Sequence, residues 1–573
     1  MTRLWNDPAD FADEMIDGFV AANGRYVRRV PGGVARSSQT PEGQVAFVTG
    51  GGSGHYPAFG GLVGPGLAHG AAMGNLFASP SAQQVLSVAK AVENGGGVFL
   101  SYGNYAGDVL NFDAAQAQLR EAGIPCQTVT VTDDVSSADR SEIHKRRGIA
   151  GDLTVFRIAG AAAQRGADLD EVTRLARRAN DRTRSFGVAF SGCSLPGADE
   201  PLFEVKPGHM AIGLGIHGEP GLGDADIPTA DGLAEMLVNR LLEEVPDDVA
   251  DVRGARVVPV LNGLGSLKYE EMFVVYRRIA LLLEESGIVA VDPHVGEYCT
   301  SFDMAGTSLT LLWLDDELED LWETGVDTPA YRRGSVDRSA EILASASDDD
   351  AEDVIGDADD ASREVARAIA DGFDVWRATI DENVDELGRL DAIAGDGDHG
   401  IGMQRGIHAA QAAARDAAEL GAGAATTLAR AADAWSDRAG GTSGAIWGAI
   451  LDTVAKTLGD VGVPEPAALA KGLENAKARV ATFGAVPGDK TLVDSLDPFV
   501  DTFAELSERQ SLADAWRAAA EAATDAAAAT ADMLPQMGRA RAHHEKALGT
   551  PDPGAHSLAL LVTSLNDLFN RKA

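Results

Sequence analysis

Val45-Ala-Phe-Val-Thr-Gly50-Gly51-Gly52-Ser53-Gly54-His55-Tyr56-Pro57 begins as a β-branched, aromatic run and breaks into a loop of four glycines and a serine. A short apolar run closed by glycines reads as a buried strand ending in a tight loop. Bare glycine backbone lets amides approach a small polar ligand closely. The loop has neither the GxxxxGK[ST] pattern of a phosphate loop nor the GxGxxG register of a dinucleotide site. Taken alone, His55 is either a satisfied core histidine or a pocket residue.

The same grammar recurs outward from this stretch. Gly97-Val-Phe-Leu, Thr128-Val-Thr-Val and Val257-Val-Pro-Val-Leu read as further strands, each ending near Gly, Asn or Asp, with helical patterns between them. This alternation predicts α/β layers with ligand sites at the strand ends. It spans 1–336, and Asn180 to Gly192 marks a crossing between subdomains of about 1–182 and 183–336. A small, acidic, core-poor stretch over 337–365 reads as a linker, because it cannot bury enough apolar surface to order itself. From 366 to 573 the texture is helical: Val365, Ile369, Phe373, Trp376, Ile380, Val384 and Leu387 recur at steps of three and four. The expected fold is an α/β half of two subdomains followed by an all-α domain.

Two more loops at strand ends carry chemistry. In Asn104-Tyr105-Ala-Gly107-Asp108, the aspartate is either a helix N-cap or a general base. In Gly215-Ile-His217-Gly218-Glu219-Pro220-Gly221, a histidine between glycines has no apolar face of its own and reads as exposed to a pocket. In the helical half, Asp391-Ala-Ile-Ala-Gly395-Asp396-Gly397-Asp398-His399-Gly400 places three carboxylates among glycines. Hard oxygen ligands of this kind suit Mg²⁺, although a solvated turn has the same composition. Gly440-Gly441-Thr442-Ser443-Gly444 opens an apolar helix whose free amides would bind phosphate.

Composition bounds the partners. The net charge of −39, from 87 Asp plus Glu against 48 Lys plus Arg, repels nucleic acid and anionic membranes. Such a surface suits a protein kept soluble in concentrated salt. Cys126, Cys193 and Cys299 are odd in number and far apart, which favours a reducing cytosol over a disulfide framework. No apolar run reaches the ~20 residues of a membrane span, and no apolar signal core is evident, so a cytoplasmic protein is expected.

Taken together, GGGSGH (Gly50–His55), NYAGD (Asn104–Asp108), RRGIAGD (Arg146–Asp152), GIHGEPG (Gly215–Gly221), NGLG (Asn262–Gly265) and DMAGTS (Asp303–Ser308) resemble the dihydroxyacetone kinase family. In that family a ketose-binding half precedes a nucleotide-binding half, an antiparallel helix barrel. The resemblance implies that His217 adds to the ketone carbonyl and holds the substrate covalently. It implies that Asp108 faces the reacting hydroxyl, that His55 contacts substrate oxygens, and that Gly52 and Ser53 line the pocket. In the helical half it implies Asp391, Asp396 and Asp398 as ligands of the Mg²⁺ that bridges ATP phosphates. His399, Gly441, Thr442, Ser443, Lys490, Thr491, Arg539, Asp552 and Gly554 are implied at the nucleotide. The function so implied is ATP-dependent phosphorylation of a short ketose by a homodimer with exchanged helical domains. Tyr56 and Gly103 depart from the pattern of dihydroxyacetone-specific members, which carry Glu and Lys there, so four-carbon erythrulose is the alternative substrate. A ketose-binding regulator without turnover is the alternative of another class.

Overall fold

The structure is a computed structural model that describes residues 4–335 except 199 and 220, 355–537 except 396, and 546–569 except 567. Its contacts divide the chain into two compact units, Met1–Asp350 and Ala351–Ala573.

Among the described residues the first unit holds two large sheets and a two-stranded hairpin. Strands β1 (Val27–Val30), β2 (Gly33–Arg36), β3 (Ala46–Ser53), β4 (Gly70–Leu76), β5 (Val98–Gly103) and β6 (Cys126–Val131) form one sheet in the order β1-β2-β4-β3-β5-β6. Strands β4, β3, β5 and β6 run parallel, and every residue of β3 and β5 is buried. This matches the near-continuous apolar runs from which they were read. The chain goes from β3 to β4 on one side and then to β5 on the other. The crevice at such a switch, beyond the carboxyl ends of the strands, is where ligands bind in open α/β sheets. His55 follows β3 and Asn104 follows β5, so both reach this crevice.

The second sheet comprises β7 (Thr183–Ala189), β8 (His209–Ile212), β9 (Gly223–Asp226), β10 (Arg256–Gly263), β11 (Val289–Ala290), β12 (His294–Gly296) and β13 (Gly306–Leu314). Its order is β11-β10-β13-β7-β8-β9, with β12 also beside β10. Proline is unusual inside a central strand because it cannot donate to the ladder. Pro259 of β10 pairs with Leu311 on one side, and on the other it falls between the stretch paired with β11 and that paired with β12. The missing N–H therefore faces a gap in the ladder.

Among the described residues eight α-helices accompany these sheets: α1 (Phe11–Asn23), α2 (Ala82–Val92), α3 (Ala106–Glu121), α4 (Gly151–Gln164), α5 (Leu169–Asp181), α6 (Ala230–Leu242), α7 (Tyr269–Glu285) and α8 (Asp316–Trp322). Helix α4 is buried along almost its whole length. The short hairpin of β14 (Val326–Asp327) and β15 (Arg332–Arg333) returns the chain to the first sheet, where Asp327 N donates to Pro65 O.

In the second unit the described helices are α9 (Asp360–Asp391), α10 (His399–Glu419), α11 (Ala424–Ala439), α12 (Gly441–Leu458), α13 (Pro466–Ala481), α14 (Val493–Leu506), α15 (Leu512–Ala529) and α16 (Pro553–Ser564). Each packs on the next and α16 packs back on α9, so the eight close a ring. Trp376, Trp435 and Trp447 fill part of its interior, the last two stacked with centroids 5.2 Å apart.

The helix begins sooner than the linker reading placed it. Asp359 accepts a hydrogen bond from Ser362 N at 2.8 Å and caps α9, and Asp360 lies in its first turn. Acidic residues that read as unstructured are here stabilised by the free amides and positive end of a helix. The rest of the acidic stretch, from 336 to 354, lies outside the described residues. Among the described residues no helix is long and apolar enough to cross a membrane.

Candidate active site

At the crevice of the first unit, two histidines from different sheets face each other. His55 Nε2 and His217 Nε2 are 3.0 Å apart, with ring centroids at 4.7 Å and planes at 86°. His217 lies in the loop between β8 and β9. Its Nδ1 is 2.9 Å from Glu219 Oε1, and its backbone N donates to Glu219 Oε2 at 3.1 Å. Arg147 closes the array from behind, donating to Asp134 Oδ2 at 2.8 Å and Gly213 O at 3.1 Å. Burial alone would raise the Glu219 carboxyl. The neighbouring His217 ring and then the Arg147 guanidinium reverse this and hold it well below the usual carboxylate range.

His55 is 1% exposed, and its Nδ1 lies 2.7 Å from Thr300 O. Phe77 stacks on the ring at 4.9 Å with an interplanar angle of 6°. Burial first, and the nearby His217 second, push the imidazole down to about 3, so it is neutral at physiological pH.

These partners fix the protons. A carbonyl oxygen only accepts, so His55 carries its hydrogen on Nδ1 and offers a lone pair at Nε2. A carboxylate only accepts, so His217 carries a hydrogen on Nδ1 as well. That leaves the Nε2 atom of each ring turned toward the other.

Glycine is obligatory where the loop passes these rings. Gly54 has φ +104°, and a Cβ there would lie 2.7 Å from the Phe77 ring. The loop is also latched to the second sheet, because Phe302 N donates to Gly54 O at 2.8 Å and Thr300 N to His55 O at 3.2 Å. Gly52 is buried in β3 against the backbone of Phe77. The Ser53 hydroxyl donates to Gly74 O at 2.6 Å, so its side chain is committed to the sheet. Tyr105 packs edge-on to His217 at 4.6 Å and donates its hydroxyl to Gly148 O at 2.9 Å. Asp108 is buried in the first turn of α3, three residues beyond Tyr105. Tyr56 turns onto Phe19 of α1 and is half exposed, whereas Gly103 forms the end of β5.

In the second unit, Asp391 ends α9 and Asp398 precedes α10. A Cβ on Gly395 would lie 2.2 Å from Asp391 Oδ1, which explains the glycine in that turn. Asp398 is open to water yet crowded by protein. This crowding, and then the Asp391 charge, push its carboxyl up to about 7. With the Asp391 charge beside it, Asp398 forms a hard-oxygen pair that a divalent cation would relieve. Asp396 lies outside the described residues, and among the described residues no cluster of three or more His, Cys, Asp or Glu could hold a metal. A pair still fits Mg²⁺, which takes one or two carboxylates and fills its octahedron with water and phosphate oxygens.

His399 is wedged between two hydroxyls, with Nε2 3.0 Å from Ser557 Oγ and Nδ1 3.3 Å from Ser443 Oγ. Gly441, Thr442 and Ser443 form the first turn of α12, which has no side-chain cap. Their amides are among those a helix leaves unbonded. Asp552 caps α16 by accepting from Ala555 N at 2.7 Å, and Gly554 lies in the same turn. Burial, followed by the charges of Asp494 and Asp391, pushes Asp552 up to about 7. Thr491 N donates to Asp494 Oδ2 at 2.8 Å.

Lys490, expected at the nucleotide, has its ammonium engaged within the protein. Its ammonium donates to Met533 O, Ala547 O and Thr550 O at 3.2, 2.6 and 2.8 Å, which engages its three donors in knitting neighbouring loops together. Arg539 lies outside the described residues.

Residues 17–330 match the Dak1 domain and residues 393–567 the DAK2 domain. The chain is 56% identical over 572 residues to an L-erythrulose kinase of Pectobacterium atrosepticum, covering all of this chain and 97% of that one. It is 50% identical over 576 residues to a D-erythrulose kinase of Mycolicibacterium smegmatis, covering 99% and 98%. Among solved structures, the dihydroxyacetone kinase of C. freundii in complex with AMP-PNP and Mg²⁺ superposes with a TM-score of 0.52 at 29% identity, over 99% of each chain. An α/β unit with Dak1 character followed by a helical unit with DAK2 character defines a two-part small-molecule kinase. The chain belongs to the dihydroxyacetone kinase family, which includes the erythrulose kinases.

Glu219, Tyr105 and Arg147 fall inside the quoted motifs but were given no role from sequence, and Thr300 and Phe77 fall outside them. Glu219 alone carried a signal: a carboxylate two residues beyond a glycine-flanked histidine, within reach of its ring.

Proposed function

We propose that this protein transfers the γ-phosphoryl group of Mg·ATP to a primary hydroxyl of a short-chain ketose held on His217, with erythrulose the favoured substrate. The His55–His217–Glu219 array carries the reading. His217 Nε2 forms a bond to the carbonyl carbon as the carbonyl π bond breaks. The carbonyl oxygen takes up a proton from solvent, relayed by His55 Nε2, and becomes a hydroxyl. The ring becomes cationic in the adduct, and Glu219 compensates that charge. Only a carbonyl compound can be held this way, so glycerol is rejected.

Asp108 takes the proton of the reacting hydroxyl as its oxygen bonds to phosphorus. Asp391, Asp398 and Asp396 would hold Mg²⁺, which when bound neutralises charge on the phosphates as the γ group moves. The first-turn amides of α12 and the Arg539 fork would bind phosphate oxygens.

Erythrulose over dihydroxyacetone is supported by the full-length likeness to kinases named for both enantiomers and by the absence of a side chain at Gly103. The test is ADP release with Mg·ATP over dihydroxyacetone, each erythrulose enantiomer and glycerol. Higher kcat/KM on an erythrulose supports the proposal. A preference for dihydroxyacetone overturns the substrate, and silence on every ketose overturns the kinase reading in favour of a ketose-binding regulator.

A further inference from the structure

Asp152 is a buried carboxyl that the chemistry above leaves unused. It lies in the first turn of α4 and is 2% exposed, and its Oδ1 is sealed from water without a hydrogen-bond partner. A buried polar atom in that state calls for an explanation. Gly103 and Gly148 pack face to face beside it. A Cβ on Gly148 would lie 2.5 Å from Gly103 Cα and 3.1 Å from Asp152 Oδ1. The carboxyl thus sits against the end of β5, from which the chain runs directly into the first turn of α3 and Asp108.

The titratable groups near Asp152 are Asp133 from beyond β6, Asp108 from α3, and the Cys299 thiol from the loop before β13. No cation contributes to this set. Asp133 is already satisfied, because its two oxygens accept from Ile149 N at 2.9 Å and Gly151 N at 2.8 Å. Burial, then the charges of Asp133 and Asp108, hold the Asp152 carboxyl well above the ordinary range.

We infer that Asp152 is a positioning residue for Asp108: it keeps its proton, donates a hydrogen bond to the Asp108 carboxylate, and so holds that group as the single base of the pair. This rests on the reading of Asp108 as base. As the hydroxyl oxygen bonds to the γ phosphorus and the bond to the leaving ADP oxygen breaks, the hydroxyl proton goes to Asp108. Asp152 retains its own proton throughout, and Asp108 releases the transferred proton to water to complete the cycle.

The test compares Asp152→Asn and Asp152→Leu in the full chain. For both, kcat/KM on erythrulose with Mg·ATP is followed from pH 5 to 9. The amide still donates, so Asp152→Asn should keep kcat/KM within about threefold and leave the acid limb in place. Leucine cannot donate, so Asp152→Leu should lose about tenfold or more and move the acid limb up by roughly one pH unit. These sizes follow from loss of one hydrogen bond to a charged group. An unmoved acid limb in Asp152→Leu, or one that drops in Asp152→Asn, overturns the proposal; the second result would mean that Asp152 is charged in the native protein.

Thermal melts locate the proton without turnover. A carboxyl raised on folding is increasingly costly as pH rises above its unfolded value, so the Tm advantage of Asp152→Asn should grow from pH 4 to 8. A constant difference overturns the proposal. Wild-type turnover in Asp108→Asn would remove the base reading, and the proposal with it, while leaving the melting difference intact.

Discussion

Glu219→Gln is the substitution that probes the proposed carbonyl capture most directly. In the native site the carboxylate takes two hydrogen bonds from His217, at 2.9 Å from the ring and 3.1 Å from the backbone, with Arg147 close by. Glutamine has the same shape, but it has one acceptor oxygen and no charge. If that oxygen faces the ring, the amide group turns toward the His217 backbone N–H, donor against donor. A charge-assisted bond of this kind contributes about 1.5–3 kcal/mol, and its loss lowers kcat/KM by roughly 10- to 150-fold. The same change leaves the cationic adduct without its counter-charge, so the bound population should fall along with turnover.

Two measurements check this. One is kcat/KM on erythrulose at saturating Mg·ATP. The other is carbon NMR of protein with ketose labelled at the carbonyl carbon, where capture moves the resonance from the ketone region to that of a saturated carbon. A variant within about twofold of wild type in both would refute the role given to Glu219 and the proton assignment that depends on it.

Other expectations follow from the same geometry. His217→Ala should abolish the saturated-carbon resonance and bring the ratio of activity on erythrulose to that on glycerol near one; retained selectivity would end the covalent reading. His55 is neutral when folded and has an ordinary imidazole when unfolded, so it contributes stability above pH 6.5 that fades at about 1.4 kcal/mol per pH unit below it. Urea melts of His55→Phe should be flatter than wild type between pH 6.5 and 4. Glu219, depressed on folding, adds stability above about pH 4.3 that is lost as pH falls further, so Glu219→Gln should blunt acid unfolding below that point. Mixing inactive His217→Ala with inactive Asp391→Ala tests whether the halves of one chain serve another: recovered turnover supports the exchanged homodimer, and none argues against it. Trp435→Ala, a fully buried truncation in the helical ring, should cost about 3–5 kcal/mol in urea melts while sparing the carbonyl resonance.

Much of this architecture is legible along the chain because burial on both faces of a parallel sheet forces unbroken apolar strands. Val45–Val48 and Gly97–Leu100 announce β3 and β5 in that way, whereas Thr128–Val131 alternates, as suits the half-buried edge strand β6. Period alone exposes α9, although Asp359 and Asp360 misled as linker, since composition cannot show that a free helix end awaits them. The site was legible where glycine flanks a reactive side chain, as at His55 and His217. It was illegible where a partner comes from far away: His55 meets His217 across 162 residues and Thr300 across 245. Nothing in the local pattern of Thr300 says that its carbonyl fixes a tautomer. Lys490 shows the converse, a side chain with the right charge for phosphate whose donors are taken by carbonyls that only tertiary folding brings near.

The latch between the glycine loop and residues Thr300 and Phe302 has a consequence for the life of the chain before it is finished. In the proposed capture neither histidine would act by itself: an imidazole on an unfolded segment lacks the carboxylate, the neutral partner ring and the fixed tautomer that the reading requires. These come together only once both sheets have docked. On the proposed capture at His217, a nascent or damaged molecule would therefore be chemically silent toward carbonyl compounds, and reactivity would be switched on by the completion of folding itself.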